Sequence, residues 1–130
     1  MASKGGDRIM ELKNRSQYLD KLISVQDMEV IKVVTGIRRC GKSSLLKLMM
    51  AHLREQGVME EQILSMNFES MQFADMDSKS LYQYVMERAP KGKRLYLFLD
   101  EVQKVRDWQD AVNSFRVDLY CDIYVTGSNA

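Results

Sequence analysis

Eight residues constrain this chain more than any other feature: Gly36-Ile37-Arg38-Arg39-Cys40-Gly41-Lys42-Ser43 satisfies G-x-x-x-x-G-K-[ST] at every fixed position. The β-branched run Val30-Ile31-Lys32-Val33-Val34 precedes it and predicts a mostly buried strand ending at Gly36. Leu45, Leu46, Leu48, Met49 and Leu53 follow at helical spacing, with Gly57 as the expected C-terminal cap. A strand, a tight turn and a helix starting near Lys42 aim successive backbone N–H groups at one spot, beside the positive end of the helix dipole. Gly36 and Gly41 leave out the Cβ atoms that would clash where the backbone curls. Lys42 then offers a flexible charge to the β- and γ-phosphates of a nucleotide, and Ser43 a hydroxyl to Mg²⁺. The expected nucleotide contacts are Gly36, Arg39, Cys40, Gly41, Lys42, Ser43 and Ser44. Arg38 and Arg39 read as solvated loop residues or as arms toward phosphate or a neighbouring subunit. Cys40 reads as an ordinary thiol or, near a helix N-terminus, as a redox-sensitive one.

The rest of the chain alternates strand-like and helix-like stretches. Ile9, Leu12, Leu19, Leu22 and Ile23 suggest a first amphipathic helix. Ile63–Phe68, Leu95–Leu99 and Asp122–Thr126 suggest three further strands. Leu81, Tyr84 and Val85 mark a helix capped by Asp77 or Ser78. Trp108, Ala111, Val112 and Phe115 mark another, capped by Asp107, and Pro90-Lys91-Gly92-Lys93 marks a turn. This order predicts right-handed βαβ units, a mainly parallel sheet with helices on both faces, and ligands at the carboxyl ends of the strands.

The polar residues fall at those ends. Leu97-Phe98-Leu99 delivers Asp100 and Glu101 together. Asp100 is expected to help hold hydrated Mg²⁺, and Glu101 to orient the water that attacks the γ-phosphate. Two adjacent acids lean toward hydrolysis, since a small-molecule kinase needs no second one and would need an arginine-rich lid that is not evident. An Asn-Lys-x-Asp segment for reading guanine is absent. Thr126-Gly127-Ser128-Asn129 follows the fourth strand. Were that strand to lie between the phosphate-loop strand and the Asp-Glu strand, Ser128 or Asn129 would face the γ-phosphate.

Composition excludes more than it assigns. Lys and Arg number 19 against 18 Asp and Glu, a net charge of +1, so charge gives no support for nucleic acid or anionic membrane as a partner. No apolar run reaches the roughly 18–20 residues needed to span a bilayer. Two cysteines among 130 residues make no disulfide framework, which fits a cytoplasmic protein. The small, polar start is no signal peptide, and residues 1–9 read as a leader, native or added, before a domain over 10–130.

Taken together, Arg15-x-x-Tyr18-Leu19-x-x-Leu22, Thr35–Ser44, Phe98-Leu99-Asp100-Glu101-Val102-Gln103, Trp108 and Tyr124–Ala130 resemble the prokaryotic AAA-type P-loop ATPases of the additional-strand, catalytic-glutamate class. The resemblance implies an α/β, three-layer αβα sandwich that binds ATP and Mg²⁺ and drives a conformational change in a partner or C-terminal domain. It implies Glu101, Lys42 and Asn129 as catalytic residues and Ser43 and Asp100 as metal contacts. Arg15 and Tyr18 would lie near the base or ribose, though Tyr18 reads equally as packing. Family sheets carry a fifth strand beside the phosphate-loop strand and then a lid. This chain shows about four strands and neither of those parts, so a truncated domain with slow hydrolysis is expected. The alternative is an association switch that self-associates through the uncovered sheet edge.

Overall fold

A computed structural model describes residues 15–28, 31–34 and 39–127. In chain order the elements are α1 (Arg15–Ser24), β1 (Lys32–Val34), α2 (Arg39–Glu55), β2 (Ile63–Asn67), α3 (Ser78–Arg88), β3 (Leu95–Asp100), α4 (Trp108–Asp118) and β4 (Cys121–Thr126). Three 3₁₀ turns that the sequence did not announce lie at Glu60–Gln62, Met71–Phe73 and Val102–Lys104. Expected helix positions Ile9 and Leu12, and strand position Val30, lie outside the described residues.

The sheet order is β1-β4-β3-β2, and every pairing is parallel. Consecutive parallel strands need a crossover, and each crossover here carries a helix that covers one face. Side chains of a strand alternate between faces, which splits the core in two. Leu97, Leu99, Ile123 and Val125 pack with Leu81, Val85, Val112 and Phe115 of α3 and α4. Tyr96, Phe98 and Tyr124 pack on the other side with Leu22 of α1 and Leu45, Met49 and Leu53 of α2. Phe98 and Tyr124 are register partners whose rings stack at 4.7 Å, an arrangement worth about 0.5–1.5 kcal/mol beyond the area it buries. The architecture is the expected three-layer α/β/α sandwich.

Boundaries follow local chemistry. Helix α2 ends in a Schellman turn, with Val58 N donating to Leu53 O and Gly57 N to Arg54 O, both at 3.0 Å. Gly57 adopts φ +95°, as its expected capping role requires. Asp77 rather than Ser78 caps α3, accepting from Ser80 N at 2.9 Å. Asp107 occupies the N-cap position of α4 but makes no side-chain cap bond, because its backbone sits at φ 58°, ψ 36°. Helix α2 begins at Arg39, three residues before the expected start, so Gly41 and Lys42 already lie within its first turn. No helix among the described residues is long and apolar enough to cross a membrane.

Candidate nucleotide site at the carboxyl ends of the strands

The site assembles because β4 lies between β1 and β3. Thr126 pairs with Val34 on one side, and the Leu99–Val125 pairing on the other sets Thr126 beside Asp100. Three strand ends and the start of α2 therefore converge. The condition set for the fourth strand, that it lie between the other two, is met.

Asp100 is buried and is held through both carboxylate oxygens. Ser43 Oγ donates to Oδ2 at 2.5 Å, and Thr126 Oγ1 donates to Oδ1. Hydroxyl-to-carboxylate bonds of this kind are charge-assisted and among the stronger ones in proteins. The contact joins residues 57 positions apart and places a hydroxyl and a carboxylate, both hard oxygen donors, side by side. Among the described residues no cluster of three or more His, Cys, Asp or Glu exists that could hold a metal ion. That donor set fits Mg²⁺, which takes one or two protein oxygens and completes its shell with water and substrate phosphate.

Glu101 is 3% exposed and sits in the left-handed region, at φ 58° and ψ 48°. A residue with a Cβ pays of order 1–3 kcal/mol for such a backbone and keeps it only where the surroundings impose it. They do so here. Glu101 N donates to Thr126 Oγ1 at 3.0 Å, and Gln103 Nε2 donates to Glu101 Oε1 at 2.7 Å. Glu101 Oε2 is buried and has no hydrogen-bond partner among the described residues. It lies 4.0 Å from Lys42 Nζ, beyond hydrogen-bond length, and both side chains are about 95% buried. A buried cation and a buried anion thus stand side by side with no hydrogen bond between them.

Lys42, Ser43, Asp100 and Glu101 are brought together as the sequence led one to expect. Gly41 and Ser44 lie in the first turns of α2 beside them. Gly36, Arg38, Ser128 and Asn129 lie outside the described residues, as do the side chains of Arg15, Arg39 and Cys40. Tyr18 packs against the α1–α2 core, and burial pushes its phenol pKa upward. Two contributors escaped sequence reasoning. Thr126 closes β4, and its hydroxyl ties Asp100 to the Glu101 backbone. Gln103 was a motif letter without a task. Only a threonine closing an all-apolar strand hinted at the first.

Residues 29–130 match the family described as AAA domain. An uncharacterized protein of Haemophilus influenzae (strain ATCC 51907 / DSM 11121 / KW20 / Rd) is 41% identical over 119 residues, covering 90% of this chain and 30% of the relative. The chain therefore spans about 30% of the length of that curated relative. No solved structure matches. With the start of α2, the paired acids and the intervening strand β4 brought together at the carboxyl ends of the strands, and the match running over most of its length, this chain belongs to the AAA domain family.

Proposed function

We propose that this domain, spanning residues 10–130, binds Mg²⁺-ATP at the carboxyl edge of its sheet and hydrolyses it, with Glu101 acting on the attacking water. The observation that carries the reading is the buried Glu101 Oε2, which has no hydrogen-bond partner among the described residues and lies 4.0 Å from Lys42 Nζ. Leaving such an acceptor unpaired costs about 1–3 kcal/mol, so a water or substrate group that pairs with it is favoured. Lys42 meets the β- and γ-phosphates, while Ser43 and Asp100 supply oxygens to the metal. Mg²⁺, when bound, neutralises charge on the phosphate oxygens. Gly36, Arg39, Cys40, Gly41 and Ser44 are the further nucleotide contacts of this reading, and Asn129 is its sensor of the γ-phosphate. The position of β4 supports placement in the additional-strand, catalytic-glutamate class. In the whole, longer protein the cycle drives a change in a partner or C-terminal domain, and the setting is the cytoplasm.

The test is Glu101→Gln beside Lys42→Ala. Glu101→Gln should slow hydrolysis about 10²–10⁴-fold, the range typical of a positioned acid–base group, while a fluorescent ATP analogue still binds. Lys42→Ala should lose that binding. Hydrolysis unchanged in Glu101→Gln sinks the proposal.

A second reading rests on β1, which stands at the edge of the described sheet with Val33 49% exposed. An open parallel edge is a template for association, so nucleotide would switch self-assembly. Size-exclusion profiles that do not change on adding ATP would count against it.

A further inference from the structure

We propose that Gln103 is a positioning residue for hydrolysis, acting through Glu101 rather than on the nucleotide; the inference rests on the reading of Glu101 given above. Gln103 Nε2 donates to Glu101 Oε1 at 2.7 Å, while Glu101 Oε2 has no hydrogen-bond partner among the described residues. Anchoring one oxygen of a carboxylate fixes the rotation of the whole group and so sets where the other oxygen points. Among the described residues no other group holds the Glu101 carboxylate. Lys42 stands 4.0 Å away, too far for a hydrogen bond, and Thr126 holds the Glu101 backbone rather than its side chain.

The base from which Gln103 reaches is itself fixed. It sits in the turn Val102–Lys104, whose flanking Val102 and Val105 are 0% and 2% exposed. Val105 N donates to Val102 O at 2.9 Å, and Lys104 N to Glu101 O at 3.2 Å, closing the turn on Glu101. The remaining oddity is that Gln103 Oε1 is buried with no hydrogen-bond partner among the described residues. A methionine of the same length would pack there without an orphaned carbonyl. An amide that tolerates one unpaired end in order to donate from the other is explained by what it holds. Its neutrality matters as well, because a cation in its place would compete with Lys42 for the same carboxylate.

The experiment compares Gln103→Met (same length, no donor), Gln103→Asn (amide kept, one carbon shorter) and Gln103→Glu (acceptor only, with a like charge). Single-turnover hydrolysis and affinity for a fluorescent ATP analogue are measured for each, in the wild-type and Glu101→Gln backgrounds. The Met variant should lose roughly 10–100-fold in the hydrolysis rate, the usual cost of removing a partner that orients a site residue. Asn should lose less and Glu more, with analogue affinity little changed in all three. In the Glu101→Gln background the three should be alike. Thermal unfolding of the nucleotide-free chain supplies a second arm: the shift caused by Gln103→Met should vanish once Glu101→Ala removes its acceptor. A Glu101→Gln enzyme that is impaired, beside a Gln103 series with wild-type rates, overturns this inference alone. A Glu101→Gln enzyme with the wild-type rate overturns it together with the functional reading. Additive shifts in unfolding also overturn it.

Discussion

At the amino ends of the strands, Lys32 and Asp122 form a buried ion pair in which every group is used. Lys32 Nζ also donates to Met28 O at 2.7 Å, and Asp122 Oδ2 accepts from Asp27 N at 3.0 Å and Tyr124 OH at 2.7 Å. Tyr96 OH donates in turn to Asp27 Oδ1 at 2.8 Å, tying α1's exit to the sheet. At the carboxyl ends, Lys42 and Glu101 are as deeply buried, but they stand apart and leave an acceptor empty on a left-handed backbone. The same sheet therefore closes one polar cluster on itself and holds the other open. Buried charge alone does not mark a working site. Among the described residues, what sets the carboxyl end apart is a buried carboxylate oxygen without a hydrogen-bond partner.

Removing one partner from the satisfied end should have the largest effect on folding. Asp122→Ala strands the Lys32 charge and should cost about 3–5 kcal/mol in denaturant unfolding, the usual penalty for breaking a buried pair. Replacing both, as Lys32→Met with Asp122→Leu, should cost far less. If Lys42→Met at the open end destabilises the chain as much as Asp122→Ala does, the contrast between the two ends is false.

Thr126→Val comes next. It keeps the shape of the side chain but removes the hydroxyl that receives Glu101 N–H and donates to Asp100. Stability should fall by about 1–3 kcal/mol for the unpaired N–H, with hydrolysis impaired as well. A smaller effect of opposite sign is expected at Glu101. Glu101→Gly relieves a left-handed backbone at φ 58° and should raise stability by about 1 kcal/mol while abolishing turnover. A destabilised glycine variant would show that the open end contributes to folding after all.

The least effect near neutral pH belongs to the tyrosines of the closed end. Burial raises the phenol of Tyr124 well above its ordinary value, helped by the Asp122 charge and hydrogen bond. Burial and the Asp27 bond do the same to Tyr96. The folded chain thus holds these protons more tightly than the unfolded one. Their contribution is fully present below the ordinary tyrosine value of about 10 and is lost as pH rises beyond it. Absorbance at 295 nm should show two tyrosines ionising only with unfolding, and Tyr124→Phe should flatten the alkaline loss of stability.

Much of the architecture was legible because periodicity reports burial. Leu97 and Leu99 alternate with Tyr96 and Phe98 in a run buried on both faces, so β3 could be read without knowing its neighbours. The Gly57 cap was legible for the same local reason, since only a positive φ lets the chain leave α2 there. The early start of α2 and the bare N-cap at Asp107 were not, because the surrounding fold decided both backbone angles. Lys32 illustrates the limit most clearly. Nothing within Val30–Val34 says how a lysine can be 5% exposed; Asp122, 90 residues away, meets it.

By itself, the sequence determined the chemical inventory: a lysine and a serine at the head of one helix, two acids at the end of one strand, and apolar patterns that force both into a layered α/β core. Those are local properties, set by spacing along the chain. The tertiary structure alone decided that β4 enters between β1 and β3, that Thr126 therefore links Asp100 to Glu101, and that Gln103 rather than Lys42 holds the Glu101 carboxylate. Which acceptor stays empty depends on distances of a few tenths of an ångström between elements far apart in sequence. Residue spacing carries no record of such distances; packing sets them.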